Sequence, residues 1–102
     1  MFTLAKDITY GKITLVNALA QGCPHCEVFK QHIPELTEQA KALGIDVFNI
    51  EGKEENREFF EKYGNETIPY TFVFDNGKFV GGDSFDKNSF VMLINALSEK
   101  AA

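Results

Sequence analysis

Tryptophan is absent from the chain, and cysteine occurs only at Cys23 and Cys26. Without tryptophan, the large apolar volume has to come from ten phenylalanines and the aliphatic residues. Two cysteines exclude a disulfide-dense scaffold, and 102 residues are enough to bury a proper core without a staple. A bridge across two intervening residues also closes a very small loop, so it contributes little through unfolded-state entropy. No run approaches the roughly 18 apolar residues that read as a membrane span. Positive charge is in deficit: ten Lys plus Arg against fifteen Asp plus Glu leave a net charge of −5. That argues against a nucleic-acid partner, which favours a basic face. The start, Phe2-Thr3-Leu4-Ala5-Lys6-Asp7, lacks the basic head and apolar stretch of a secretory leader. The expected compartment is therefore cytoplasmic, where paired cysteines read as catalytic or metal-binding before structural. Asn65-Glu66-Thr67 matches a glycosylation acceptor, a match discounted without a secretory signal.

What remains is ordinary for one globular domain spanning residues 1–102, at 44% hydrophobic and 25% charged. There is no repeat, linker or low-complexity run. Residues 13–18 (Ile-Thr-Leu-Val-Asn-Ala) form a short β-branched run suited to a buried strand. Phe2-Thr3-Leu4 reads as a short edge strand before it. From Pro24 the period changes: Phe29, Ile33, Leu36, Ala40 and Leu43 fall on one helical face. Pro34 should kink that helix, and Gly44 should end it. Ile45 to Ile50 reads as a second buried strand, and residues 53–63 as a charged helix closed by Gly64, with Phe59, Phe60 and Tyr63 as its apolar side. Residues 70–74 form a third strand, Asp75-Asn76-Gly77 a hairpin turn, and Lys78-Phe79-Val80 the return, ended by Gly81-Gly82. A last helix covers about 86–99. The order predicts an α/β fold: a central mixed sheet of four or five strands flanked by three helices, with the strand before the cysteines central.

Cys23-Pro24-His25-Cys26 follows a buried strand and opens a helix. Unpaired N–H groups at a helix start stabilise a thiolate and lower its pKa below the free value of about 8.5. Cys23, at or just before the first helical residue, is thus the expected nucleophile. Pro24 occupies the position where proline is best tolerated. Cys26, one turn in and more covered, is the expected resolving thiol. A protonated His25 would stabilise the Cys23 thiolate, and with it the reduced form, making the disulfide more oxidising. The alternative for His25 is a solvated loop residue. His32, off the apolar stripe, receives no role. Zinc needs four ligands in a closed structural site, and one C-x-x-C supplies two, so no metal is expected in a monomer.

Gln21-Gly22-Cys23-Pro24-His25-Cys26 after a strand, with Thr67-Ile68-Pro69 before another, resembles the thioredoxin superfamily over residues 13–99. The resemblance implies the thioredoxin fold and a cis proline at Pro69 beside the cysteines. It also implies that the backbone of Ile68 pairs with a bound substrate. The tetrad resembles that of DsbA-type oxidases, although the stretch between Cys26 and Pro69 is too short for their inserted helical domain. Thioredoxins place Trp before the first cysteine and a buried Asp six residues before it; here these are Gly22 and Asn17. Glutaredoxins have a similar Thr-x-Pro and a hairpin ending in Gly-Gly with an acidic residue, which Thr67, Gly81, Gly82 and Asp83 resemble. In that family these segments bind glutathione. The bland alternatives are that Gly81 and Gly82 only shape a strand end, and that Asp83 only serves a turn. The resemblance implies a monomeric thiol–disulfide oxidoreductase acting on protein or glutathione mixed disulfides. It would need no resident cofactor and would be recharged by glutathione or a thioredoxin-reductase-type donor. Two alternatives are a dimeric glutaredoxin-like binder of a metal or iron–sulfur cluster and a DsbA-like oxidant without the insertion.

Overall fold

The computed structural model describes residues 2–65 and 67–102, so Glu66 of the glycosylation match lies outside the described residues. In chain order the elements are β1 (Ile13–Leu19), α1 (Pro24–Lys30), α2 (Ile33–Ala42), β2 (Ile45–Glu51), α3 (Arg57–Tyr63), β3 (Tyr70–Asp75), β4 (Lys78–Asp83) and α4 (Lys87–Ala101). Short 3-10 turns lie at Ala5–Asp7 and Glu54–Asn56.

The sheet has four strands in the order β2-β1-β3-β4. β1 runs parallel to β2 and antiparallel to β3, and β4 returns antiparallel beside β3. All seven residues of β1 are buried, as expected of a central strand covered on both faces. Alternation along the strands divides the core in two. Ile13, Leu15 and Leu19 of β1, Ile45 and Val73 share one face with Cys26, Phe29, Leu36, Ala40, Phe90 and Ile94, which come from α1, α2 and α4. Val16, Ala18, Ile50, Phe72 and Phe74 share the other face with Phe59 of α3 and with Ile8. Full burial of each Val, Leu, Ile or Phe side chain among them contributes about 1.5–3 kcal/mol.

Two expectations about the number of elements are corrected. Phe2-Thr3-Leu4 forms no strand; Thr3 N–H donates one bond to the Asn49 carbonyl (2.8 Å), and the chain then turns at Ala5–Asp7. A single bond is too little to build a ladder at the β2 edge. The helix expected from Pro24 to Leu43 is two helices, so four helices flank the sheet rather than three. Pro34 has no N–H for the carbonyl four residues back, and its ring crowds that turn, so the break falls upstream at Gln31-His32. Pro34 then sits in the first turn of α2, where proline is tolerated.

The hairpin turn has the expected chemistry, with Asn76 and Gly77 both at positive φ (51° and 82°). β4 runs through Gly81 and Gly82 to Asp83 instead of ending at Val80, with a register shift that leaves Val80 as the extra residue. α4 starts one residue later than expected because Asp86 is its cap: the Asp86 carboxylate accepts from Ser89 N–H (2.8 Å) and the Ser89 hydroxyl accepts from Asp86 N–H (3.0 Å). Among the described residues, no helix is long and apolar enough to cross a membrane.

Candidate functional site

The cysteine pair lies where β1 hands over to α1. Cys23 is the N-cap residue, in extended conformation, and its sulfur accepts a hydrogen bond from Cys26 N–H at 3.2 Å. Pro24 follows in the first turn, where its missing N–H costs nothing. Cys26, one turn further along, faces the core and is 0% exposed, whereas Cys23 is half-buried and Pro24 and His25 are exposed. The two cysteines are joined by a disulfide, with Cα atoms 5.2 Å apart. Only one of the two sulfurs is thus reachable by an incoming group. α1 is only seven residues long, so the specific N–H donated to Cys23 matters more than a summed helix field.

The Ile68–Pro69 peptide bond is cis, and both residues are half-buried. They line a cavity of about 570 Å³ together with His25, Val28, Phe29 and His32 of the α1 side and Ser84, Phe85, Asp86 and Lys87 at the start of α4. The fold thus brings His25 of the tetrad and Ile68-Pro69, more than 40 residues apart in sequence, to one opening. Val28 in its wall is 61% exposed. A second cavity, of about 910 Å³, opens on the other flank of Ile68, lined by Gly52, Lys53, Arg57, Phe60 and Thr67 among others. Its cations are occupied: Lys53 pairs with Glu51 at 3.1 Å, and Arg57 with Glu54 at 3.2 Å and Glu61 at 3.8 Å. The pairing with Glu51 raises the Lys53 pKa.

Gly81, Gly82 and Asp83 sit on the edge strand, opposite Val73, Phe72 and Thr71 respectively. A Cβ on Gly82 would meet the Tyr70 ring at 2.6 Å, so glycine is required there by packing. The Asp83 carboxylate accepts from Ser84 N–H at 2.8 Å. Gly82 and Asp83 therefore have local structural jobs, Gly81 takes a positive φ of 146°, and none of the three lines the cavity beside Pro69.

Three features escaped the sequence reading. The first is a polar row across the sheet, on the Cys26 face: Asn17 Nδ2 donates to Asn49 Oδ1 (3.0 Å), and the Thr71 hydroxyl donates to Asn17 Oδ1 (2.6 Å). These residues are direct partners in the strand register. The shared strand parity of Asn17 and Asn49 was the signal available in the sequence. The second is Ser84, whose hydroxyl donates to the Pro69 carbonyl at 2.6 Å. Nothing local in the sequence marks a contact across fifteen residues. The third is His32, which had no assigned role and stands in the cavity wall. Among the described residues, no group of three or more His, Cys, Asp or Glu side chains is gathered as metal ligands.

No protein-family model matches the chain. It is 35% identical over 72 residues to the thiol:disulfide interchange protein DsbE of Allochromatium vinosum, an alignment covering 68% of this chain and 36% of that protein. The chain thus spans about a third of the length of that curated relative. Among solved structures, mitochondrial thioredoxin 3 of Saccharomyces cerevisiae in its oxidised form superposes with a TM-score of 0.73 at 13% identity, covering 84% of this chain and 79% of that one. Oxidised thioredoxin of Plasmodium falciparum gives 0.71 at 19% identity, covering 85% and 82%. The element order, the cysteines at the β1–α1 junction, the cis proline before β3 and these superpositions agree: the chain has the thioredoxin fold.

Proposed function

We propose that this chain is a thiol–disulfide oxidoreductase that reduces disulfides of other proteins. The observation that carries the reading is the asymmetry of the cysteine pair. Cys23 is half-buried at the cap with an N–H aimed at its sulfur, and Cys26 is buried behind it. In the reduced state the Cys23 thiolate attacks one sulfur of a substrate disulfide; the substrate's S–S bond breaks, and its second sulfur leaves as a thiolate that takes up a proton. The Cys26 thiol loses its proton and attacks Cys23, forming the Cys23–Cys26 disulfide and releasing the first substrate sulfur. The substrate gains two electrons and the chain loses two. An external thiol donor, glutathione or a thioredoxin-reductase-type dithiol, returns them.

The interchange activity in the name of the Allochromatium vinosum relative supports this reading. Protein disulfides are favoured over glutathione mixed disulfides by the surroundings of Ile68. Lys53 and Arg57, the cations on its flank, are already paired with glutamates, and the Asp83 carboxylate holds Ser84 N–H. We read the chain as a monomer working as a reductant in the cytoplasm. A site potential of about −270 to −200 mV, the thioredoxin and glutaredoxin range, fits that direction, and one near −120 mV would reverse it.

The test is insulin reduction with dithiothreitol as donor. Cys23→Ser should abolish turnover, and Cys26→Ser should trap a mixed disulfide on Cys23. Turnover surviving in Cys23→Ser would refute the mechanism. Replacing dithiothreitol by glutathione, or by a thioredoxin reductase with NADPH, identifies the donor class.

A further inference from the structure

We propose that Ser84 is a positioning residue that sets the register in which a substrate chain pairs with Ile68. This rests on the oxidoreductase reading above. The backbone groups around Ile68 are unequally available. The Thr67 carbonyl accepts from Asn65 Nδ2 at 3.2 Å. Pro69 has no N–H, and its carbonyl accepts from the Ser84 hydroxyl at 2.6 Å. Among the described residues, no backbone hydrogen bond of this segment involves Ile68. Of the three residues, only Ile68 has neither its N–H nor its C=O engaged by another described residue, so it is the one that can pair with an extended chain entering beside the disulfide.

The consequence follows from strand geometry. Side chains of an extended segment alternate between faces, so a slip of one residue turns every side chain to the opposite side. A free Pro69 carbonyl would offer a second acceptor one residue along. A substrate chain paired there would point its cysteine away from Cys23. By taking one lone pair of that carbonyl, Ser84 weakens it as a second acceptor and favours the register in which the substrate sulfur meets Cys23. Ser84 is well placed for this. It lies in the wall of the cavity it shares with His25, Ile68 and Pro69, and its own N–H is held by Asp83 at 2.8 Å. It is also exposed, so its hydroxyl contributes little to folding.

The experiment compares Ser84→Ala and Ser84→Thr with the wild-type chain on two substrates. Insulin presents a polypeptide to pair, and 5,5′-dithiobis(2-nitrobenzoate) presents none. Ser84→Ala should lower the kcat and the KM for insulin together, by about two-fold where the second register binds as tightly as the productive one, because unproductive binding withholds substrate from turnover without weakening the productive complex. The rate with the small disulfide and the site potential should not move. Ser84→Thr keeps the hydroxyl and should restore both wild-type values. An unchanged kcat in Ser84→Ala overturns the proposal, as does a parallel fall on both substrates, which would mean general damage. A wild-type chain inert toward both would overturn the oxidoreductase reading itself, and the proposal with it.

Discussion

The two faces of the sheet are built from different materials. The α3 face is aromatic: Phe72 lies 5.0 Å from Phe59 and 4.9 Å from Tyr70, ring centre to ring centre, and Tyr63 lies 5.1 Å from both Phe74 and Phe79. These tilted and edge-on pairs add to the area they bury. The face under α1, α2 and α4 is mainly aliphatic, and it alone carries Cys26 and the Asn49-Asn17-Thr71 row. Chemistry and stability are thus separated across a sheet one residue thick. An aromatic cluster can hold the fold without approaching the sulfurs, and the reactive face can accommodate polar groups because each finds a partner. Among the described residues, no buried side-chain nitrogen or oxygen lacks one.

Phe72→Ala breaks this comparison most forcefully. Phe72 is fully buried in the aromatic face, and its truncation should cost about 3–5 kcal/mol by urea denaturation. The folded fraction should still reduce insulin at the wild-type rate per folded molecule. If the rate of the folded fraction fell as well, the two faces would not be separable.

Asn17→Leu tests the other side. It removes the acceptor of the Thr71 hydroxyl and the donor to Asn49, at a cost of about 1–3 kcal/mol. Thr71 is two residues after Pro69, so here activity per folded molecule should fall together with stability. Stability loss with full activity would make the row purely structural.

Asp86→Ala, outside both clusters, should have the smallest effect on stability. The Asp86 pKa is lowered by its hydrogen bonds from the Ser89 backbone and side chain. A depressed carboxylate stabilises the fold above its unfolded pKa and loses that contribution as pH falls through the folded value. The melting-temperature difference between wild type and variant should therefore be small but steady at neutral pH and shrink once pH drops below the ordinary value of 3.8. A difference independent of pH would show that the charge is irrelevant to the cap.

The sequence was sufficient for most features that depend on neighbours along the chain. β-branched runs marked β1 and β2, Asn76-Gly77 the hairpin, and strand followed by Cys-Pro-x-Cys the reactive junction, because propensity, turn chemistry and helix-start electrostatics act within a few residues. Local reading was less reliable where a short element depends on its neighbours, as with Phe2-Thr3-Leu4, or where a proline's effect is displaced one turn upstream, as with Pro34. Tertiary structure alone decided which groups meet. It placed Ile68-Pro69 beside His25, joined Asn17 to residues 32 and 54 positions away, and seated Ser84 on the Pro69 carbonyl. Such contacts follow from strand order and register, which no single segment encodes, and they turn a reactive pair of cysteines into a site with one accessible sulfur and one free backbone partner.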